Sequence, residues 1–544
     1  MNLLLAVATV ALMSAAQPAH HDHGPQLGRV SFETSCNRAG NALFRTGLGW
    51  LHSFEYEQAE RAFAQAATAD PGCTIAYWGV AMSQYHPLWA PPSAAELAKA
   101  EAALVKAKQG GAASERERAF VAAIDTFYRD SDRLDHKRRA LAYSGAMEQL
   151  HRRYPQDREA AVFYALSLIA AGTMDQDPSF ASERKAGTIL NAVLALQPDH
   201  PGVTHYLIHG FDYPSLAELA LPAARRYATI APASPHAQHM PSHIFVRLGL
   251  WDEAIKSNLA SEAASRAFAK AQGLADSSSE RLHAMDYLAY AYLQRGEDQR
   301  AERVLADLSS IRRVDPPIFT VAYAATAIPA RLALERRRWK QAAALELKDN
   351  VRQLAPLGTF RWGEAHLHFA RAIGAARSGN IASARGEVAK LNEIEQSLRI
   401  APGTYDWRTQ VRIERQIAEA WLAHAGGSRE DALRAMRAAA DLDDSTEKHP
   451  VTPGAILPAR EQLGELLLEH RRPAEALREY EASLKRAPQR LAPLYGAARA
   501  AKAAGDMAKA RFYFGRLADL TRDGDPSRAE VRDARAFLSR RAAR

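Results

Sequence analysis

The sequence predicts an all-α protein, a right-handed superhelical solenoid of antiparallel helix pairs. Three observations carry that expectation. Strand signals are nearly absent: there is no sustained apolar–polar alternation and no Asn-Gly hairpin turn. Alanine dominates a hydrophobic content of 47%, and alanine-rich sequence with few β-branched runs favours helix. Self-similarity recurs every 34 residues, most plainly in Pro201–Ser234 and Pro235–Phe268. A period in that range marks units that bury a core only by stacking on their neighbours.

The chain begins with MNLLLAVATVALMSAA. Residues 1–16 read as a secretory signal peptide, with Ser14-Ala15-Ala16 as the small-residue cleavage site. The apolar run is too short for a membrane anchor, and no later run approaches twenty apolar residues. An exported protein is expected, periplasmic or secreted, with no membrane span. Residues 17–35 read as a flexible leader in which His20, His21 and His23 form a mobile, solvated tail. Cys36 and Cys73 are the only cysteines, and an even pair in an exported chain suggests a disulfide.

Gly40–Cys73 supplies the first full unit. Gly47 and Ala59 are small where two antiparallel helices approach, Tyr56 and Phe63 fill the gap to the next unit, and Pro71 closes the second helix. Ser93–Gln156 is helical but off register, broken at Gly110-Gly111. Arg158–His200 keeps the pair with an insertion near Gly172–Pro178. Further units are placed from Ala301, Ala342, Ala384 and Ala432, and two clear ones follow from Leu457 and Leu491. Roughly eleven helix pairs result. They divide into an N-terminal array over 36–310 and a C-terminal array over 311–544 that ends in a polar capping helix.

These positions resemble the tetratricopeptide-repeat superfamily over nearly the whole mature length. More narrowly, LHSFEYEQAERAF, DPGCTIAYWGVAMS, HYLIHGFDYP, HAQHMPSHIFVRLG and EKHPVTPGAILPARE resemble exported bacterial tetratricopeptide proteins without an assigned activity. The resemblance implies the fold, and implies that binding in a concave groove is the usual business. It implies no chemistry. It also implies which positions of each first helix line the groove. Frames set from alanine and proline alone put His52, His86, His205, His209, His236, His239, His243, His283, His366 and His424 on those columns. Only about two or three would fall there by chance.

His205 and His209 share a helix face, with Asp212 three residues on, and His239 and His243 repeat the spacing one unit later. Imidazoles with a carboxylate suit zinc or copper. Pro241 complicates the second pair: a helix starting there would leave His236 and His239 in a loop. Three readings stay open: a metal site with His205, His209, His239 and His243 as core ligands; a polar groove that also takes in Asp212, His283 and Asp286; or structural histidines tied to backbone carbonyls. The leading expectation is a non-enzymatic scaffold that binds a protein, peptide or small ligand, with no cofactor required beyond a possible zinc or copper ion. The alternative is a metal-binding protein. A metal-dependent hydrolase ranks last, and its general base would have to be Asp212 or Asp286. No GxSxG, Walker loop, GxGxxG or CxxCH occurs. The 70 basic residues are scattered among 62 acidic ones, so nucleic acid is not an expected partner.

Overall fold

A computed structural model describes residues 25–109, 114–175, 177–271, 273 and 277–539. The proposed signal peptide and His20, His21 and His23 lie outside this range. The described residues form 27 helices and one two-residue parallel strand pair, Ser277–Ser278 with Val314–Asp315. Each helix packs mainly on its neighbours in sequence, as in Arg38–His52 on Tyr56–Ala69 and Trp407–Ala425 on Arg429–Asp444. Among the described residues no helix is long and apolar enough to cross a membrane.

The repeat can be read in one contact made near both ends of the array. The Phe63 ring sits between Gly47 and Gly79, and a Cβ on either glycine would come within 2.8 Å and 2.4 Å of it. Tyr480 sits in the same way between Gly464 and Gly496, at 2.8 Å and 2.2 Å. One aromatic ring thus fills the step between units only where two first helices lack side chains, which is why small residues recur in those columns. The units placed from alanines are also present: Ser279–Arg295 pairs with Asp298–Leu308, and Trp362–Arg377 with Ile381–Ser397. One departs from the pattern. The partner of Phe319–Glu335 is cut to Trp339–Ala343 and replaced onward by Asp349–Leu354. Gly374 of the next unit brings its backbone onto Trp339 and Ala343 there, so close that a Cβ would meet Ala343 N at 2.2 Å.

Two expectations need correction. Residues 25–35 are not part of a flexible leader but an extended strap on the body. Phe32 is buried against Phe44, Trp78 and Phe120, and Ser35 N–H donates to Glu117 Oε1 (2.8 Å). Nor is there a break near 310. Ser279–Arg295 packs directly on Phe319–Glu335, and the coil is tight enough for distant segments to meet it. Leu491 N–H donates to Gln294 Oε1 (3.0 Å), and Arg528 reaches Leu293 O (3.1 Å) and Asp298 (2.7 Å). The Cys36–Cys73 bridge is formed, with the Cα atoms 4.4 Å apart, joining the start of the first helix pair to its end.

Candidate metal centre

Three consecutive first helices build the site. Pro201–Gly210 carries His205 and His209, Ser279–Arg295 carries His283, and between them run Pro235–His239 and Pro241–Leu248. Pro241 does not throw His236 and His239 into a loop. Met240 between the two short helices is itself in the α-helical region, and its N–H bonds to His236 O (2.9 Å). The proline removes one hydrogen bond without ending the helical path. His236, His239 and His243 therefore stay on one face.

Six rings form a continuous cluster. Centroids are 4.8 Å apart for His205–His209, 5.1 Å for His205–His236, 6.0 Å for His209–His243, 5.0 Å for His239–His243 and 4.1 Å for His239–His283. All six are buried. Burial pushes His205, His209, His239 and His283 well below the ordinary imidazole range. It brings His243 down to about 4 even though Asp212 opposes the shift. Neutral imidazoles offer lone pairs.

The nitrogens separate the cluster into two triads. In His205, His209 and His236, one ligating atom from each lies within 4.8 Å of the others. Their three Nε2 atoms have no hydrogen-bond partner. The outer nitrogens are anchored where the bonds are seen: His205 Nδ1 faces His52 O at 2.7 Å, and His236 Nδ1 faces Glu280 at 3.4 Å. In His239, His243 and His283 the conflict is sharper. Asn258 Nδ2 donates to Ala254 O (2.8 Å), so its Oδ1 must accept from His239 Nδ1–H (2.6 Å). Asp212 is held ionised by Lys448 (2.8 Å) and Arg247 (2.8 Å), so it accepts from His243 Nδ1–H (3.1 Å). Both Nε2 atoms then carry lone pairs and face each other at 3.0 Å; the Tyr287 hydroxyl stands 3.3 Å from that of His243 while donating to Val451 O (3.0 Å). Two lone pairs at that distance repel unless a cation lies between or beside them. Two imidazole nitrogens on one tetrahedral ion are separated by about 3.3 Å. Carboxylate, amide and carbonyl groups on the outer nitrogens are the usual second layer of a histidine metal site.

A third group, His52, Glu159 and His200, is equally close-set, but its nitrogens are all paired. His52 bonds Tyr206 (2.9 Å) and Glu159 (2.9 Å). His200 bonds Glu159 (3.1 Å) and accepts from Val203 N–H (3.3 Å). It is a structural knot, and the two imidazoles hold the Glu159 carboxyl far below its usual range even against burial.

The four expected core ligands therefore do not form one site: His205 and His209 group with His236, and His239 and His243 with His283. The expectation of an open, histidine-lined groove is corrected as well, because the wall is covered by the chain itself. Tyr287 donates to Val451 O (3.0 Å), Tyr323 to Gly454 O (3.0 Å), and Lys448 reaches Asp212. A cavity of about 10 Å³ lies where the two triads meet, between His209, His236, His243, His283, Glu280 and Val451. Asp286 is not in the cluster but paired with buried Arg331. His52 belongs to the knot, while His86 lies against Tyr56 on another wall (centroids 4.5 Å). His366 is buried beside Thr326, and His424 sits against His470. Reasoning from sequence missed Asn258, Glu280, Tyr287, His200, Glu159 and Lys448. One signal was available for Asn258: on the following helix Ala254, Asn258, Ser261 and Ser265 make a buried stripe that is polar at helical spacing.

No protein-family model and no curated protein matches the sequence. Solved structures with similar helix stacking include human IFIT1 as a dimer with m7Gppp-AAAA (12% identity, 82% of this chain and 90% of that one, TM-score 0.37). Others are yeast Tom70 (11%, 90% and 91%, TM-score 0.28) and the Cut9–Hcn1 hetero-tetramer of the APC/C (10%, 91% and 75%, TM-score 0.34). At these identities and scores the likeness goes no further than a long stack of helix pairs.

Proposed function

We propose that this solenoid is a metal-binding protein that holds zinc or copper(II) on its buried histidines, one ion on each triad. The observation that carries the reading is the pair of facing Nε2 lone pairs of His239 and His243, 3.0 Å apart with both outer nitrogens committed as donors. The three unpartnered Nε2 atoms of His205, His209 and His236 support a second ion. An all-imidazole set with no thiolate suits zinc and copper(II). Binding, the business expected of such a scaffold, is on this reading binding of an ion at its centre. No reaction is assigned, since Asp212 and Asp286, the carboxylates a hydrolase would need free, are each engaged by basic side chains. The apolar segment 1–16 and the Cys36–Cys73 bridge support an exported setting.

Tag-free protein loaded by dialysis and analysed by elemental mass spectrometry tests this. Two equivalents of zinc or copper are expected. His283→Gln should lose one, His236→Gln the other, and Glu159→Gln in the knot neither. Metal at background in the loaded wild type, or unchanged in both histidine variants, would overturn the proposal.

A further inference from the structure

The concave face is not closed everywhere. Beyond the histidines lies a cleft of about 500 Å³, within the size range of small-molecule sites. Its walls come from segments far apart in the chain: residues 86–91 of the N-terminal units, Phe319, and residues 358–362, 397–408 and 449–450. The two sides therefore belong to opposite limbs of the superhelix.

Two features define what fits there. One is a wall of flat rings. Trp362 and Trp407 stack at 3.8 Å with 7° between planes, and His449 continues the stack on Trp407 at 5.2 Å and 18°. Phe319 and Tyr405 flank His449 at 5.1 Å and 4.9 Å. The other is charge. Arg361, Arg399 and Arg408 line the cleft and no carboxylate does. None of the three is in a salt bridge among the described residues; Arg361 and Arg399 are exposed, and Arg408 Nε is buried without a partner. On the facing, N-terminal side Trp89 Nε1 and His136 Nδ1 are also unpartnered. Three guanidinium groups with no carboxylate partner among the described residues, beside a ladder of rings, make a cationic aromatic wall.

We propose that this cleft binds a small planar aromatic anion of the aromatic carboxylate class, its ring against Phe360 and Tyr405, which line the cleft beside the Trp362–Trp407–His449 stack, and its carboxylate on Arg408 and Arg361. The site is independent of the metal reading, though the two adjoin: Trp89 and Phe319 stand in the walls of both the cleft and the small histidine cavity.

Calorimetric and tryptophan-fluorescence titration with 2-naphthoate, on EDTA-stripped protein and again with zinc, tests the assignment. Saturable one-to-one binding is expected in both conditions, at least tenfold weaker for neutral 2-naphthamide and at least tenfold weaker for Arg408→Gln. Arg408→Gln changes a half-exposed side chain outside the core, and its circular dichroism should match the wild type. Phe360→Leu should weaken naphthoate and naphthamide alike. Absence of saturable binding would overturn the proposal, as would equal affinity for acid and amide or wild-type affinity in Arg408→Gln. Binding that needs zinc and vanishes in His283→Gln would also overturn it, by moving the carboxylate onto the ion.

Discussion

Gly202 shows how little room the buried histidines leave. A Cβ there would lie 2.4 Å from His52 Nδ1, and the His52 ring cannot turn away because both its nitrogens are bonded. Gly202→Ala should therefore destabilise the fold by about 1–3 kcal/mol, read as a lower midpoint in urea unfolding. An unchanged midpoint would mean that the knot is loose. The knot and the two triads are equally close-set, but in the knot a carboxylate takes the place of one imidazole and every nitrogen is paired. That difference is not legible in sequence. The i, i+4 spacing places His205 with His209 and His239 with His243, but the groups that fix the tautomers lie elsewhere: His52 O for His205, Asp212 for His243, Asn258 for His239. The hydrogen-bond partners, and with them the split into two triads, come only from the folded chain.

Helices were easier to read than nitrogens, because alanine and glycine columns report close approach between neighbours in sequence. Ala301, Ala384 and Ala432 each mark a real second helix. Ala342 marks one cut short, and nothing near it in sequence shows that Gly374 will occupy the missing turns. Contacts between neighbouring elements also carry charge. Glu465 on Ala459–Glu469 takes a bidentate bond from Arg337 (2.9 and 2.9 Å) and a further one from Arg499 on Leu491–Ala503 (3.2 Å). Although burial alone would raise its carboxyl, these partners bring it down to about 2. A depressed carboxyl stabilises the fold above its unfolded pKa near 4.5, and that stability is lost as pH falls toward 2. The gap in unfolding free energy between wild type and Glu465→Gln should then be about 3 kcal/mol at pH 7 and about 1 kcal/mol at pH 3. Equilibrium denaturation at the two pH values checks it, and a gap that stays constant would show that Glu465 titrates normally.

At the scale of the whole molecule the coil turns back on itself. Arg490, fully buried, ties Glu461 (2.6 Å) of its own limb to Glu335 (2.9 Å) and Tyr290 (2.5 Å) of the other. Trp251 donates to Gln489 O (2.7 Å) beside it. His449–Pro458 holds three prolines and a glycine, but nothing in the sequence tells where it goes, because a groove position says which way a side chain faces and not what arrives to cover it. The same covering segment has a kinetic meaning. On the proposed reading an ion on the His239–His243–His283 triad lies behind Val451, whose carbonyl is held by Tyr287, so its release should wait for that backbone to lift and not for the metal–nitrogen bonds. Stripping zinc with increasing chelator should then follow one rate that levels off at the opening rate of the segment, whereas a rate that climbs in proportion to chelator would mean the ion is reached directly. A site of modest affinity built in this way can keep its ion through long exposure to stronger competitors.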